Sequence, residues 1–225
     1  MSSVYKCLVE SASGGVLIFD TSFDEGCLIW VKPTGEVISK HFDSSTRASE
    51  GLVESLEDWM SVDELKDLAA LVIGLGPGSF TGVRVAAATA KGISTATKVK
   101  VFGVSSLHWL SSSLEPDKRW AVVVDARQDE VYVRASGLES DRLLTISECA
   151  EYLKAHAVEL VSTNWTEEQA RSRLAFDGEI RPLELSSDAG INLALTAVES
   201  GRALEPHQIT PAYLKATPAE RNLSS

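Results

Sequence analysis

Glycine, proline, serine and threonine are concentrated between Gly74 and Arg84, after an apolar run and before an alanine-rich stretch. A glycine-rich turn between a strand and a helix can cradle a phosphate group, because its backbone amides point at the anion. A P-loop would need a lysine directly after the segment, and the first downstream lysine is Lys91. A dinucleotide-binding fingerprint would need a third glycine where the chain has Ser79 or Thr81. Neither standard phosphate-binding motif is present.

The same segment suits close packing. Glycine lets the backbone adopt positive φ and lets another backbone approach, and Ser79 or Thr81 can cap the helix that follows. That helix carries a ridge of small residues at steps of four: Gly82, Ala86, Ala90 and Ser94. Such a ridge can pack on the protein's own sheet or meet a partner's helix. In the second case Phe80 would be an aromatic anchor, and Arg84 could reach a carboxylate or a phosphate.

Other reactive side chains form no recognisable catalytic set. The three cysteines make neither a disulfide framework nor a Cys-x-x-Cys metal pair, and they fit a reducing compartment. No Gly-x-Ser-x-Gly nucleophile elbow occurs in the chain. His41, His156 and His207 stand apart from one another, and we expect surface or packing roles for them.

Composition narrows the class of protein further. The chain has 225 residues, of which 44% are apolar and 24% charged, as is ordinary for a globular protein. Its formal net charge of −11 argues against a protein that holds nucleic acid by itself, because phosphate contacts need a basic surface. We find no apolar stretch that could span a bilayer and no secretory signal, so we expect a cytoplasmic protein without membrane contact.

Apolar periodicity predicts two successive sets of strands and helices. The first set has strands over 16–19, 27–31, 37–42, 69–73 and 100–103, and helices around 52–60, over 81–97 and over 107–114. The pattern restarts near residue 115, with strands over 120–124, 131–135 and 159–162 and helices over 146–156 and 192–202. In each set the first strand ends in aspartate, at Asp20 and at Asp125. We therefore predict an α/β protein with two related lobes, 1–114 and 115–225, in which the helix near 190–203 packs back on the first lobe.

The segment Gly76–Arg84, with Ala90-Lys91-Gly92 after it, closely resembles the signature of the TsaB family. Members of that family are bacterial accessory subunits for making threonylcarbamoyladenosine beside the tRNA anticodon. Four further segments resemble family segments in the same order: 18–22, 102–107, 124–132 and 211–214. The resemblance covers most of the chain and is weak from about residue 137 to residue 205.

The resemblance implies a two-lobed α/β fold of the actin, Hsp70 and sugar-kinase type, with mixed sheets flanked by helices. It implies a non-catalytic scaffold that pairs with the related subunit TsaD through the first lobe, is joined by the ATPase TsaE, and forms a homodimer when alone. It also implies that tRNA is met only through the complex. No cofactor of its own is expected, whereas ATP and metal are expected in the partner subunits.

The resemblance also implies which residues form the sites. The partner interface would comprise residues of the glycine-rich turn and of the helices before and after it: Leu52, Leu56, Gly78, Ser79, Phe80, Thr81, Gly82, Arg84, Ala86 and Ala90. A vestigial nucleotide cleft would comprise Asp20, Thr21 and Asp125, because aspartates at such strand ends help to hold metal and nucleotide in active relatives. No residue is expected to be catalytic, and none to bind metal.

Three departures from the family pattern have consequences. The catalytic relatives carry two metal-binding histidines where this chain has Ser106 and Leu110. Serine is a poor metal ligand and leucine is none, so we expect that metal site to be absent. Ala48-Ser49 replaces the His-Ser pair that usually begins the family's first helix. The residues from Met1 to about Ser13 precede the family's first strand, and we expect a ragged end or an added strand.

Two other functions remain open. The chain could act alone as a weak sugar-kinase-like ATPase, and turnover that disappears on substitution of Asp20 would support that reading. It could also be a homodimeric interaction module with another client, which the capture of its partners would reveal. Loss of tRNA modification by TsaD when this protein is withheld would favour the scaffold.

Overall fold

The computed structural model of the chain describes residues 3–42 and 48–215. Its internal contacts divide the chain into two compact units, one of residues 1–109 and 185–212, the other of residues 110–184 and 213–225. Each unit is built around a mixed five-stranded sheet flanked by helices, which confirms the predicted α/β fold class. The lobe boundary predicted at 114/115 lies a few residues beyond the first division between the units.

Five strands form the sheet of the first unit: β1 (Gly15–Asp20), β2 (Gly26–Val31), β3 (Val37–Phe42), β4 (Leu68–Gly74) and β5 (Lys100–Val104). Their order across the sheet is β3-β2-β1-β4-β5, with antiparallel pairing from β3 to β1 and parallel pairing from β1 to β5. β1 and β2 are buried along their whole length. Burial on both faces explains why their sequences are continuous apolar runs and not alternating patterns.

Helices cover both faces of this sheet: α1 (Ser3–Ala12), α2 (Ala48–Trp59), α3 (Val62–Lys66), α4 (Phe80–Thr97) and α8 (Ser187–Glu199), with α5 (Ser106–Ser111) following β5. On one face, Phe19 of β1 and Ile73 of β4 share a core with α2 and α4. Because successive strand residues point to opposite faces, the neighbouring positions form the other face, where Ser187 of α8 is hydrogen-bonded to Cys27 of β2. α8 also contacts α1 and β5.

Residues Ser3–Ala12 form the helix α1, so the predicted ragged end or added strand is wrong for this range. Leu8 is fully buried, and the hydroxyl of Tyr5 donates a hydrogen bond to the carboxylate of Asp188 on α8. The chain leaves the helix through Ser13, whose φ of 65° is left-handed. The sequence hides this helix because no acidic residue stands in its first turn and no basic residue in its last.

The ridge of small residues on α4 faces the protein's own sheet. All four of its members are buried: Gly82, Ala86, Ala90 and Ser94. Ala86 and Ala90 belong to the core of the first unit, together with Leu52 and Leu56 of α2. The strands present leucine, isoleucine and phenylalanine to this helix, so only small side chains let it lie close. Leu52, Leu56, Gly82, Ala86 and Ala90, which were predicted to belong to a partner interface, therefore pack inside their own unit in this structure.

The second unit repeats the topology of the first. Its strands are β6 (Trp120–Arg127), β7 (Glu130–Ala135), β8 (Arg142–Thr145), β9 (Leu160–Thr163) and β10 (Glu179–Pro182). They run in the order β10-β9-β6-β7-β8, with antiparallel pairs from β6 to β8 and parallel pairs from β6 to β10. Counted from its first strand, each unit therefore has the same strand order. The two strands that end in aspartate, β1 and β6, are the central strands of the two sheets.

Two helices, α6 (Ile146–Ala155) and α7 (Glu167–Leu174), accompany the second sheet. Each begins with a capping box, formed by Thr145 with Glu148 and by Thr166 with Gln169. The sequence analysis missed α3, α7, β8 and β10, which are short and mostly lie near the surface. The Thr-x-x-Gln pattern was the signal that could have identified α7.

The turn between β6 and β7 contains three successive non-glycine residues with positive φ: Arg127 at 64°, Gln128 at 59° and Asp129 at 57°. This conformation is unfavourable for residues with a side chain. The ammonium group of Lys215 donates hydrogen bonds to the carbonyl oxygens of Ala126 at 2.8 Å and Arg127 at 2.9 Å. It also lies 2.7 Å from a carboxylate oxygen of Glu130. A side chain from far along the sequence thus stabilises the turn.

We expect Ala86→Leu to destabilise the first unit, because the larger side chain has no space between α4 and the sheet. Overpacking of this kind costs about 1–3 kcal/mol in the free energy of unfolding. Ala88→Leu is the matched control on the exposed side of the same helix, and its effect should stay within about 0.5 kcal/mol. Urea unfolding followed by circular dichroism measures both variants. Equal stability of the two would contradict the internal position of the ridge.

Candidate functional site

The glycine-rich turn closes directly over the end of β1. A Cβ atom at Gly74 would lie 1.9 Å from Oδ2 of Asp20, and one at Gly82 would lie 1.8 Å from the carbonyl oxygen of Thr21. The hydroxyl of Thr21 donates a hydrogen bond to the carbonyl oxygen of Gly82 at 2.8 Å. Any side chain at either glycine would push the turn away from the strand end. The two glycines therefore serve internal contacts, Gly74 with the side chain of Asp20 and Gly82 with the backbone of Thr21.

The polar groups of the turn are occupied by this contact. The amide of Ser79 donates to the carbonyl oxygen of Ser22 at 2.6 Å, and a Cβ atom at Gly78 would lie 2.2 Å from that same oxygen. The hydroxyl of Ser106 accepts a hydrogen bond from the amide of Gly76 and donates one to the hydroxyl of Ser22, each at 2.9 Å. Amides that are used in this way are not available to a phosphate group, which agrees with the missing phosphate-binding motifs.

Asp20 is sealed beneath the turn. Its side chain is fully buried, and its Oδ1 accepts a hydrogen bond from the amide of Ser22 at 2.7 Å. Among the described residues Oδ2 has no partner within hydrogen-bond distance. Burial raises the pKa of Asp20, and hydrogen bonding to Ser106 and Ser22 offsets part of the rise. Thr21 is equally inaccessible at 1% exposure. Asp20 and Thr21, two of the three residues of the predicted vestigial cleft, are thus closed to a ligand in this structure.

Asp125 occupies the corresponding strand end of the second unit. Its Oδ1 accepts a hydrogen bond from the amide of Arg127 at 2.8 Å, two residues further on, as Asp20 does from Ser22. Its other carboxylate oxygen lies 3.5 Å from the guanidinium of Arg127, and the side chain is 16% exposed. Both aspartates therefore turn the chain at the end of a central strand. Asp125 remains partly accessible, whereas Asp20 does not.

The residues described contain no cluster of three or more histidine, cysteine, aspartate or glutamate side chains that could hold a metal ion. Ser106, at the position where the family resemblance implies a metal-binding histidine in catalytic relatives, uses its hydroxyl to tie the glycine-rich turn to Ser22. Leu110, at the second such position, is buried. These two side chains do not fit the metal-binding role of the residues that they replace.

Four of the predicted interface residues reach the surface at the start of α4. Ser79 caps the helix, its hydroxyl accepting from the amide of Gly82 at 3.4 Å. Phe80 is 47% exposed, and the guanidinium carbon of Arg84 lies 3.5 Å from the centre of its ring. Thr81 and Arg84 are exposed as well. Gly78 is half-buried behind them.

The accessible side of α4 continues beyond the residues that were predicted. Thr81, Arg84, Ala88, Gly92 and Thr95 are exposed at steps of three or four and form what we call the outward stripe. A Cβ atom at Gly92 would meet no atom within 4 Å. The sequence analysis missed Ala88 and Gly92 because α4 carries small residues on two of its sides. Their own spacing of four was the signal that could have found them.

The backbone of α2 is helical from Ala48 onward. The side chains of Ala48 and Ser49, where the resemblance would place a His-Ser pair, lie outside the described residues. Val53 of α2 is 47% exposed.

Among the residues that the structure describes, no helix is long and apolar enough to cross a membrane.

Comparison with known proteins assigns the chain to a family. Residues 45–197 match the family model described as "TsaD: tRNA N6-adenosine threonylcarbamoyltransferase", which covers more than half of the chain. The TsaB protein of Escherichia coli is 31% identical over 123 residues, which are 52% of this chain and 52% of that protein. The TsaB protein of Buchnera aphidicola is 27% identical over 127 residues, 50% of this chain and 60% of the relative. The matches thus span about half the length of these curated relatives.

Solved structures extend the similarity to almost the whole fold. YeaZ from Pseudomonas aeruginosa matches with a TM-score of 0.73 and 25% identity, over 89% of this chain and all of that one. A second structure from that organism, described as an uncharacterized protein with similarity to peptidase YeaZ, matches with a TM-score of 0.71. The match to the family model over 45–197, the TsaB relatives and the YeaZ structures agree with one another. The chain belongs to the TsaD family, as a member of its TsaB/YeaZ branch.

Proposed function

We propose that this protein is a non-catalytic scaffold subunit that pairs with a TsaD-like subunit and supports the formation of threonylcarbamoyladenosine in tRNA. The outward stripe of α4 is the observation that carries the proposal. It lies on the helix that follows the family's signature turn and includes the small residues Ala88 and Gly92. The exposed aromatic side chain of Phe80 lies at the start of the same helix. Small residues let a partner helix approach closely, and an aromatic residue supplies an anchor.

The state of the former catalytic positions supports the scaffold role. Asp20 is buried without access for a nucleotide, and Ser106 and Leu110 stand in place of metal-binding histidines. On this proposal ATP and metal act in the partner subunits, a TsaD-like protein and a TsaE-like ATPase, and tRNA is held by the complex in the cytoplasm. The net charge of −11 agrees with a subunit that does not hold RNA alone. In the absence of TsaD, a second copy would occupy the same surface.

Reconstitution tests the proposed function. The full chain is purified together with the TsaD-like and TsaE-like proteins of its own organism, and threonylcarbamoyl transfer to tRNA is measured with and without it. We expect co-purification with the TsaD-like subunit and a loss of product when this chain is withheld. Full activity without it would overturn the proposal. Product formation by this chain alone would show that it is an enzyme.

We expect Gly92→Arg to abolish pairing with the TsaD-like subunit while the fold is retained. A long charged side chain fills the space in front of the outward stripe, whereas the site itself has no neighbouring atoms to displace. Replacing glycine inside a helix should even stabilise the isolated chain by about 0.5–1 kcal/mol. Size-exclusion chromatography with light scattering reports the pairing, and thermal unfolding reports the fold.

Ser172→Arg is the control for that experiment, because Ser172 is an exposed helical residue of the second unit. It should leave pairing unchanged. Pairing of the Gly92→Arg variant at wild-type strength would exclude the outward stripe as the contact surface.

The alternative of an ATPase acting alone makes Asp20 essential, so Asp20→Asn separates the two functions. On the scaffold proposal the variant remains active in the complex. The substitution should also change how the free energy of unfolding depends on pH. Since burial raises the pKa of Asp20, its protonated form contributes stability in full below the unfolded pKa of about 4. That contribution is lost as the pH rises through the raised pKa. The wild type should therefore lose stability relative to the variant as the pH rises above about 4.

Urea unfolding at a series of pH values measures this difference between the wild type and Asp20→Asn. Asp125→Asn is the matched control, since it removes a carboxylate with the same turn hydrogen bond from a partly exposed position. Parallel pH dependences of the wild type and Asp20→Asn would contradict the raised pKa of the buried Asp20 carboxyl. ATP hydrolysis that disappears in Asp20→Asn would support the alternative enzyme.

A further inference from the structure

Three oxygen atoms at the turn between β6 and β7 converge on one positive charge. The carbonyl oxygens of Ala126 and Arg127 lie 2.8 Å and 2.9 Å from Nζ of Lys215. A carboxylate oxygen of Glu130 lies 2.7 Å from the same nitrogen. An ammonium group has three N–H donors, so the three oxygens match its donors in number. We refer to these three oxygen atoms as the oxygen cage.

The oxygen cage depends on a backbone conformation that the turn residues do not favour by themselves. Arg127, Gln128 and Asp129 are all left-handed, and this region is unfavourable for residues with a side chain. The conformation brings two carbonyl oxygens and the carboxylate of Glu130 to the same point. Three oxygens that carry negative charge repel one another unless a cation lies between them. The turn therefore needs a cation to keep this conformation.

The surroundings of the oxygen cage strengthen that need. The side chain of Lys215 is 12% exposed and that of Glu130 is 30% exposed, so water screens their attraction less than on an open surface. If the ammonium group were removed, the carbonyl oxygens and the carboxylate would lose a charged donor. Acceptors that are left without a donor in a partly buried position are unfavourable.

The distances within the oxygen cage indicate which class of ion it suits. Oxygen ligands lie about 2.0–2.1 Å from Mg²⁺ and about 2.3–2.6 Å from Ca²⁺. Both ranges are shorter than the 2.7–2.9 Å of the oxygen cage. Backbone carbonyl oxygens are the ligands that replace the hydration shell of K⁺ in potassium channels, and a free ammonium ion forms the same N–H···O contacts as a lysine. The oxygen cage thus suits a monovalent cation of the size of potassium or ammonium.

We propose that the oxygen cage is a binding site for a monovalent cation, which Lys215 fills with a tethered ammonium group. The positive charge, and not the rest of the lysine side chain, holds the turn in its left-handed conformation. A free potassium or ammonium ion occupies the site once the tethered group is removed. This inference is independent of the proposed pairing with a TsaD-like subunit, because its residues all belong to the second unit and none to the outward stripe.

Chemical rescue of the full-length Lys215→Ala variant tests the proposal. Amide hydrogen exchange is measured in about 150 mM potassium, ammonium or tetramethylammonium chloride, so that the ionic strength is equal. The reporter is the amide of Ile146, which donates to the carbonyl oxygen of Asp129 at 2.9 Å. In tetramethylammonium, which is too large for the oxygen cage, this amide should exchange about tenfold to hundredfold faster than in the wild type, because hydrogen bonds to a charged group are lost. Potassium and ammonium should slow the exchange increasingly as their concentration rises.

Two further variants serve as controls. Glu130→Gln, combined with Lys215→Ala, removes the carboxylate of the oxygen cage and should abolish the rescue. Lys154→Ala removes a positive charge from an exposed position of α6 and should leave the exchange of Ile146 as in the wild type. Thermal unfolding of each variant reports whether the fold is intact. If Lys215→Ala folds only when potassium or ammonium is present, that dependence supports the proposal in the same way.

Two results would overturn the inference. If Lys215→Ala exchanges equally fast in all three salts, the oxygen cage binds no free ion. If Lys215→Ala exchanges at the wild-type rate in tetramethylammonium, the turn needs no cation at all. Neither result bears on whether the chain pairs with a TsaD-like subunit, so this inference and the proposed function fail separately.

Discussion

The contact between the glycine-rich turn and the strand end at Asp20 determines which surface of α4 the first unit exposes. Gly74 lies against the carboxylate of Asp20 and Gly82 against the carbonyl oxygen of Thr21, at distances that no side chain would tolerate. The hydrogen bond from the amide of Ser79 to the carbonyl oxygen of Ser22 then fixes where α4 begins. Because a helix turns by a constant angle per residue, the position of its first residue decides which of its sides faces the sheet. The accessible surface of α4 is thus a consequence of the turn.

This dependence explains what the sequence could and could not predict. Composition and motif spacing were sufficient to exclude a phosphate loop, and periodicity identified the buried strands because their apolar runs are long. The sequence could not predict which of the two rows of small residues on α4 is buried, because Ala86 and Ala88 have the same side chain and differ only in their tertiary neighbours. Ala86 is buried because it packs against leucine, isoleucine and phenylalanine side chains of the sheet, whereas Ala88 has no such neighbours. The turn residues Phe80 and Arg84 were found because their types were unusual for their positions.

The two units share the same strand-end structure, but its aspartate lies in a different environment in each unit. Asp20 and Asp125 end the central strands of the two sheets, and each accepts a hydrogen bond from the amide two residues later. In the second unit the carboxylate keeps an arginine partner and some exposure. In the first unit the turn covers the carboxylate, and its polar neighbours are Ser22 and Ser106. The strand end of the first unit thus has the same turn hydrogen bond as that of the second, but its aspartate has no access to solvent.

The division of the chain between its two units has a consequence for biosynthesis. Residues 185–212 complete the first unit and include α8, although nearly all of the second unit precedes them in the sequence. The amino-terminal part therefore leaves the ribosome before the helix that covers one face of its sheet. Leu8 of α1 and Trp109, which pack near α8 in the folded protein, lack these contacts until most of the chain has been made. Nascent chains in that condition expose apolar surface that chaperones recognise. Folding of this protein should accordingly be a largely post-translational event, in spite of its modest length.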